Sequence, residues 1–220
     1  MTTFVDLSHI LEPDMPAYPG VPIPQFRTWF THAESESRGA YAPGTTFQIA
    51  TYEIGGNTGT YIDAPFHRHP LGSDVAGLAL QQLANLPGVV VTMLHEGAIG
   101  PEVFQGYDMQ GKAVLVRTDW SKRWGYSDYF RSGPFLTAAT CNFLVQAGAA
   151  LVGIDCANID DMNDATRPAH TILLATGIPI VEHLCDLENI PTIGNFRFFA
   201  VPPAVKGGTS FPVRAFAICE

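Results

Sequence analysis

The run Gly55-Gly56-Asn57-Thr58-Gly59-Thr60-Tyr61-Ile62-Asp63-Ala64-Pro65-Phe66-His67 concentrates side chains that could do chemistry. Asp63 and His67 offer a carboxylate and an imidazole. Far downstream, His170 and Glu182 offer a second pair of the same kinds. A hard or borderline divalent cation takes carboxylate and imidazole ligands. Two carboxylates and one histidine can hold a single ion and leave positions open for water. A second histidine nearby can take a proton from that water. Each residue also has an ordinary structural reading. Asp63 can form an Asx turn before Pro65, His67 and His69 can be polar loop residues, His170 can support a helix start, and Glu182 can be a surface residue at a strand end.

The elements that must position these groups can be read from the pattern. Pro13, Pro16, Pro19, Gly20, Pro22 and Pro24 make the first part extended chain and turns. Residues 46–54 alternate loosely and read as a strand running into the Gly55-Gly56 turn. Ala113 to Thr118 is a short apolar strand. Thr137 then serves as the N-cap of a helix carrying Leu136, Phe143, Leu144 and Ala147 on one face, with Gly148 as its stop. Ala150 to Ile154 reads as a buried strand, so the unit is β-α-β with parallel strands. A second helix opens at Arg167-Pro168-Ala169-His170, with Pro168 near its first position and Gly177 at its end. Ile178 to Val181 is the next strand. Asp155 and Glu182 then stand at carboxyl ends of strands, where ligands collect in α/β sheets. His170 stands in a first helical turn, where the dipole favours neutral imidazole. Runs Phe196–Pro202 and Pro212–Ile218, separated by Lys206-Gly207-Gly208, make a β-rich closing segment.

The bulk numbers exclude several classes. The chain has 220 residues, 46% hydrophobic and 15% charged, which predicts one globular α/β domain spanning 1–220 with a substantial core. The low charged fraction also predicts covered surface, in a homo-oligomer (dimer or tetramer). Net charge is −9 and only 12 Lys and Arg are present, scattered, so nucleic acid is not an expected partner. Cys141, Cys156, Cys185 and Cys219 form no CxxC pair and read as reduced buried thiols, which with no signal-like N-terminus predicts the cytoplasm. Asn142, Gln146 and Gly148 interrupt the longest uncharged stretch, so no membrane span is expected. No Gly-x-Ser-x-Gly elbow and no Gly-x-Gly-x-x-Gly occurs, which argues against a serine hydrolase and a dinucleotide enzyme.

Several motifs, spread nearly end to end, add to this. They are Asp6-Leu7-Ser8-His9, Tyr18-Pro19-Gly20, Gly59-Thr60-x-x-Asp63-Ala64-Pro65-x-His67, Val116-Arg117-Thr118-x-Trp120-Ser121-Lys122-x-Trp124-Gly125, Leu151-Val152-Gly153-Ile154-Asp155, His170-Thr171-Ile172-Leu173-Leu174, Ile180-Val181-Glu182-x-Leu184 and Val213-Arg214-Ala215-Phe216-Ala217. In this order they resemble the cyclase family of metal-dependent hydrolases, which includes bacterial kynurenine formamidases. The resemblance implies a swivelling β/β/α fold with a mixed, partly parallel sheet. The family loop resembles His-x-Gly-Thr-His-x-Asp-x-Pro-x-His, in which two histidines and the aspartate hold one metal. The aspartate reaches a second metal, completed by a later histidine and glutamate, and the last histidine is the base. Carried over, Asp63, His170 and Glu182 would hold one zinc or manganese ion, and His67 would be the base.

The chain departs from that loop where Asn57 and Tyr61 replace the first-metal histidines. An amide oxygen is a weak ligand for such ions, and a phenol ligates well only when ionised. One metal site is therefore lost or reshaped. Asn57 and Tyr61 could bind a developing oxyanion instead, or Tyr61 could fill the vacated space of a site that no longer works. Trp120, Trp124, Tyr126, Tyr129 and Phe130 cluster in one loop, either as packing or dimer contact or as a wall for a flat substrate. Asn158, in Cys156-Ala157-Asn158, departs from the Thr-Pro-Ser-like stretch of relatives and is expected against the substrate, with Trp120 and Trp124. Two functions follow as expectations. One is a metal-dependent hydrolase of an aryl or cyclic amide, or of a related ester or lactone. The other is a non-catalytic binding protein on the same fold.

Overall fold

The computed structural model describes residues 2–131, 133–191 and 195–220. Its strands and helices run β1 (Thr3–Asp6), β2 (Gln25–Phe30), α1 (His32–Ser37), β3 (Ile49–Glu53), β4 (Tyr61–Asp63), β5 (Leu86–Thr92), β6 (Ala98–Ile99), β7 (Ala113–Arg117), β8 (Phe135–Leu136), α2 (Ala138–Gln146), β9 (Leu151–Ile154), α3 (Pro168–Ala175), β10 (Ile180–Glu182), β11 (Phe196–Phe199), β12 (Ser210–Pro212) and β13 (Phe216–Cys219). One mixed sheet has the order β1-β13-β11-β5-β7-β9-β10-β4-β12. Its centre, β5 to β10, is parallel, and both flanks are antiparallel.

The central strands are apolar except at their carboxyl-end residues Thr92, Arg117 and Glu182, because both of their faces are covered. Alternate side chains of a strand point to opposite faces. Val114 and Val116 of β7 therefore pack with α2 and α3 through Leu144, Leu173 and Leu174. Ala113 and Leu115, from the same strand, join Val5, Leu151, Phe198 and Ala217 on the other face. Burying a side chain such as Leu115 completely contributes about 1.5–3 kcal/mol.

The helix signals correspond to real ends. Thr137 caps α2, accepting from the Thr140 amide at 3.2 Å, and Gly148 follows in a left-handed conformation with φ +74°. The inward stripe of α2 is Thr140, Cys141 and Leu144 rather than the expected Phe143 and Ala147, which stay half-buried. Pro168 opens α3, where its missing N–H costs nothing, and Gly177 at φ +77° follows its end. The sheet adopts the parallel β7–β9 pairing that the β-α-β pattern predicts.

Two segments differ from the expected layout. The strand expected over 46–54 is shorter, and it pairs with β2 in a separate two-stranded ribbon instead of delivering the motif directly. Between these strands lies α1, held by a capping box in which the Glu34 carboxylate accepts from the Thr31 amide at 2.7 Å. The motif itself is not all loop. Tyr61 to Asp63 form β4, paired on both sides.

Candidate active site

Strand β4 explains how distant residues meet. On one side its register sets Tyr61 opposite Glu182 of β10. On the other it sets Asp63 opposite Ser210 of β12. Residues directly opposite in an antiparallel pair bring their Cβ atoms within about 5 Å. Helix α3 supplies His170 from above the same strands, and the turn after β4 supplies His67. Thr60 anchors the loop by donating to the His183 carbonyl at 2.6 Å and accepting from the His9 amide at 3.0 Å. Gly59 is required there: φ is +61°, and a Cβ would meet Leu11 Cδ2 at 2.6 Å.

The hydrogen bonds fix which atoms are free. Ser210 Oγ donates to Asp63 Oδ1, so it must accept the proton of His67 Nδ1, 3.0 Å away. That leaves Nε2 as the basic nitrogen of His67, on a ring that lines an open cleft. His170 is oriented by Asp160, whose Oδ2 lies 2.6 Å from Nδ1 and which also accepts from the Ala169 amide and, at 3.2 Å, from the His170 amide. His170 Nε2 then faces Asp63 Oδ2 at 3.5 Å and Glu182 Oε1 at 3.8 Å. Asp63 is fully buried, and its Oδ2 has no hydrogen-bond partner among the described residues. A buried carboxylate oxygen is costly to leave in that state.

Electrostatics follow from this crowding. Burial alone would lower the His170 pKa, but Glu182, Asp160 and Asp63 outweigh it and raise it to about 10. Burial pushes Glu182 up to about 7, with His170 pulling it down and Asp63 pushing it up. Burial would also raise Asp63, yet His170, His67 and Ser210 hold it below its ordinary 3.8. Two carboxylate oxygens thus converge on one imidazole nitrogen, a place built for positive charge. Ligand atoms on Asp63, His67 and His170 all lie within 4.8 Å of one another, close enough for one ion. Asp63 Oδ2 and His170 Nε2 are the donors not otherwise committed, whereas His67 Nδ1 is engaged by Ser210. This donor set fits one divalent cation; Glu182, the third expected ligand, lies outside the group, with Oε2 accepting from the Tyr61 hydroxyl and Oε1 from the Ile159 amide, so it reaches an ion only by giving up one of those bonds.

It does not fit a second. Tyr61 is buried and donates its hydroxyl to Glu182 Oε2. Burial, then the charges of Glu182 and Asp63, push the phenol well above its ordinary 10. In the metal-free protein Tyr61 is therefore a neutral donor to Glu182. Asn57 Nδ2 reaches Ser210 Oγ at 3.5 Å and its side chain also touches the Tyr61 hydroxyl, while the amide lines the cleft.

The cleft has a volume of about 330 Å³ and is lined by Tyr18, Val21, Asn57, Tyr61, His67, Arg68, Asn158, Arg167, His170 and Glu182. Of the three residues expected against the substrate, Asn158 lines it. Trp120 is a core residue whose indole donates to the Tyr129 carbonyl at 3.1 Å. Trp124 stacks on His9, with ring centroids 3.9 Å apart, and packs edge-on to Tyr129 and His183. Asp155, at the end of β9, accepts from the Thr118 and Asp119 amides at 2.8 Å and stiffens the turn after β7. Ser210, Asp160, Arg68 and Arg167 were not singled out by the sequence. Ser210 and Arg68 make their contacts through strand register and long-range packing, whereas Asp160 and Arg167 bond within the loop that leads into α3, whose irregular backbone carries no periodic signal.

The Cyclase family model, described as "Putative cyclase", matches residues 5–161. The chain therefore belongs to the cyclase family. A kynurenine formamidase of Geobacillus thermodenitrificans (strain NG80-2) is 28% identical over 217 residues, covering 98% of this chain and 97% of the relative. One from Bacillus mycoides (strain KBAB4) is 28% identical over 214 residues, covering 96% and 95%. Among solved structures, isatin hydrolase A from Labrenzia aggregata, bound to benzyl benzoate, superposes with a TM-score of 0.84 at 25% identity, over 99% of this chain and 93% of that one. A potential metal-dependent hydrolase with cyclase activity shares the fold, with a TM-score of 0.81 at 22% identity over 100% and 99%.

Proposed function

We propose that this protein is a metal-dependent hydrolase that cleaves the C–N bond of a small aryl or cyclic amide, as an arylformamidase does, or the corresponding bond of a related ester or lactone. The observation that carries this reading is the hydrogen-bond wiring around Asp63. One oxygen is engaged through Ser210 with His67, and the other is buried, unpartnered and turned to His170. Asp63, His170 and Glu182 would hold one zinc or manganese ion, with Asp160 fixing the imidazole as outer carboxylates do at metal sites. Such an ion supplies Lewis acidity toward a carbonyl oxygen and toward water.

The chain's own groups carry the rest. His67 takes a proton from water at Nε2 as the oxygen adds to the carbonyl carbon, then delivers it to the leaving nitrogen as the C–N bond breaks. Asn57 donates to the oxygen on which charge develops. Tyr61 reaches that oxygen only by giving up Glu182. Kynurenine formamidases among the relatives, and isatin hydrolase among the structural neighbours, support a flat aryl substrate. The test uses protein stripped with a chelator and reloaded with zinc or manganese, on a panel of aryl formamides, cyclic amides, aryl esters and lactones. Turnover that His67→Ala abolishes while the ion is retained is the expected result. A panel with no turnover under either metal sinks the reading.

The Tyr61–Glu182 bond favours a second reading, a binding protein in which the phenol has taken over the lost half of the site. It requires that gently purified protein carry no stoichiometric metal and that His67→Ala change nothing. Either way we place the protein in the cytoplasm as a homo-oligomer. The support is four buried free cysteines and a β2–β3 ribbon with Trp29 and Tyr52 exposed. No helix among the described residues is long and apolar enough to cross a membrane.

A further inference from the structure

The cleft wall carries two guanidinium groups, from Arg68 and Arg167, in a chain that has 12 Lys and Arg and a net charge of −9. Both are held in place. Arg68 donates Nε to Thr171 Oγ1 at 3.1 Å and Nη2 to the Thr166 carbonyl at 3.0 Å. Arg167 donates Nη1 to the Asp161 carbonyl at 3.3 Å, from a left-handed backbone with φ +47°. Among the described residues neither forms an ion pair, whereas Arg117, Arg123 and Arg214 each pair with an aspartate. The cleft's own carboxylate, Glu182, is occupied by Tyr61 and by the Ile159 amide. Two guanidiniums in one cleft wall make that wall positive and attract an anion, although Asp164 stands near enough to Arg167 to feel its charge. Arg68 Nη1 and Arg167 Nε and Nη2 donate to nothing among the described residues. A guanidinium with free N–H donors matches a planar carboxylate.

We propose, on the reading of this cleft as the reaction site, that Arg68 and Arg167 form an anion subsite and that the preferred substrate carries a carboxylate beside the scissile amide. The pair sets specificity and leaves the bond-breaking chemistry to the groups around Asp63.

Calorimetry on the full chain, as purified and after chelation, with 2-aminobenzoate and its neutral counterpart 2-aminobenzamide tests this. The carboxylate should bind at least about tenfold tighter, the size of a charge-assisted hydrogen bond. Arg167→Gln should weaken that preference and Arg68→Gln with Arg167→Gln should erase it, with amide binding unchanged. The single Arg167→Gln variant leaves the Arg68 contacts to Thr166 and Thr171 intact, so it reads the subsite without loosening α3. Equal binding of the two probes, no binding of the carboxylate, or a preference that survives the double variant overturns the subsite. So does a preference that vanishes on chelation and ignores both arginines, because the carboxylate has then gone to the ion. A carboxylate preference in a protein that hydrolyses no amide would leave the subsite standing and remove the hydrolase reading instead.

Discussion

Ser210 shows how one hydroxyl can decide the role of two other groups. It donates to Asp63 and accepts from His67, which fixes the imidazole tautomer and frees Nε2. Ser210→Ala removes that constraint without touching the cleft wall. We expect kcat to fall by about tenfold to a hundredfold, within the range that positioned acid–base groups contribute, with KM little changed. Steady-state kinetics on an aryl formamide would check the split, and an unchanged kcat would remove Ser210 from the relay. Tyr61→Phe acts on the opposite side. It leaves Glu182 Oε2 buried with no donor, so metal-free protein should lose about 1–3 kcal/mol. Added zinc or manganese should restore more stability to this variant than to the parent, because the freed oxygen can turn to the ion. Urea unfolding with and without metal measures both. Asp63, His67, His170 and Glu182 were legible as types suited to metal and proton chemistry. Ser210 was not, because its contact with Asp63 spans 147 residues and exists only through the β4–β12 register.

At the scale of elements, α3 is where site and scaffold meet. Its first turn offers amide protons that Asp160 accepts from Ala169 and His170, and the same carboxylate holds the His170 ring. Asp160→Asn keeps the size and loses the charge. Metal affinity should fall about tenfold to a hundredfold, as for other lost outer partners of ligating histidines, and titration with a competing chelator would show it. An unchanged affinity would mean that α3 packing alone orients the ring. The ends of α2 and α3 were readable because Thr137, Pro168, Gly148 and Gly177 act through their own backbones. The ribbon of β2 and β3 was harder. Its residues satisfy a strand pattern, but which strand they pair with depends on a turn and a short helix between them. The aromatic loop left packing and a substrate wall both open for a related reason. Large flat side chains suit a core as well as a ligand wall, and Trp120 went to the core.

For the whole molecule, the buried titratable groups set a stability profile. In metal-free protein His170 rises from 6.5 to about 10, so its contribution is complete below 6.5 and is lost as pH climbs through about 10. Glu182 rises from 4.5 to about 7, and its contribution is lost over the interval ending near there. His183 and His9 act in the opposite sense. Burial lowers them to about 3 and about 4, so their contribution is present above 6.5 and is lost as the pH falls toward those values. Asp63 is held below 3.8, so its contribution also disappears only in strong acid. The chelated protein should therefore melt highest at roughly pH 6 to 7 and lose stability on both sides. A flat profile between pH 7 and 10 would show that His170 is not held as an imidazolium.

The pairing of Tyr61 with Glu182 across β4 and β10 also constrains how this loop can change over time. The two positions are neighbours in register, so neither can be exchanged on its own terms. Installing histidine at 61 first strips a buried carboxylate of its donor. Changing Glu182 first strips a buried phenol of its acceptor. Asn57 makes only a long 3.5 Å bond to Ser210 beside the Tyr61 hydroxyl, so its exchange costs the fold less than exchange of either partner of that pair. A path back to a two-histidine loop therefore has a preferred order, with position 57 first. In a double-mutant cycle, positions 61 and 182 should be strongly epistatic while 57 combines almost additively with 182.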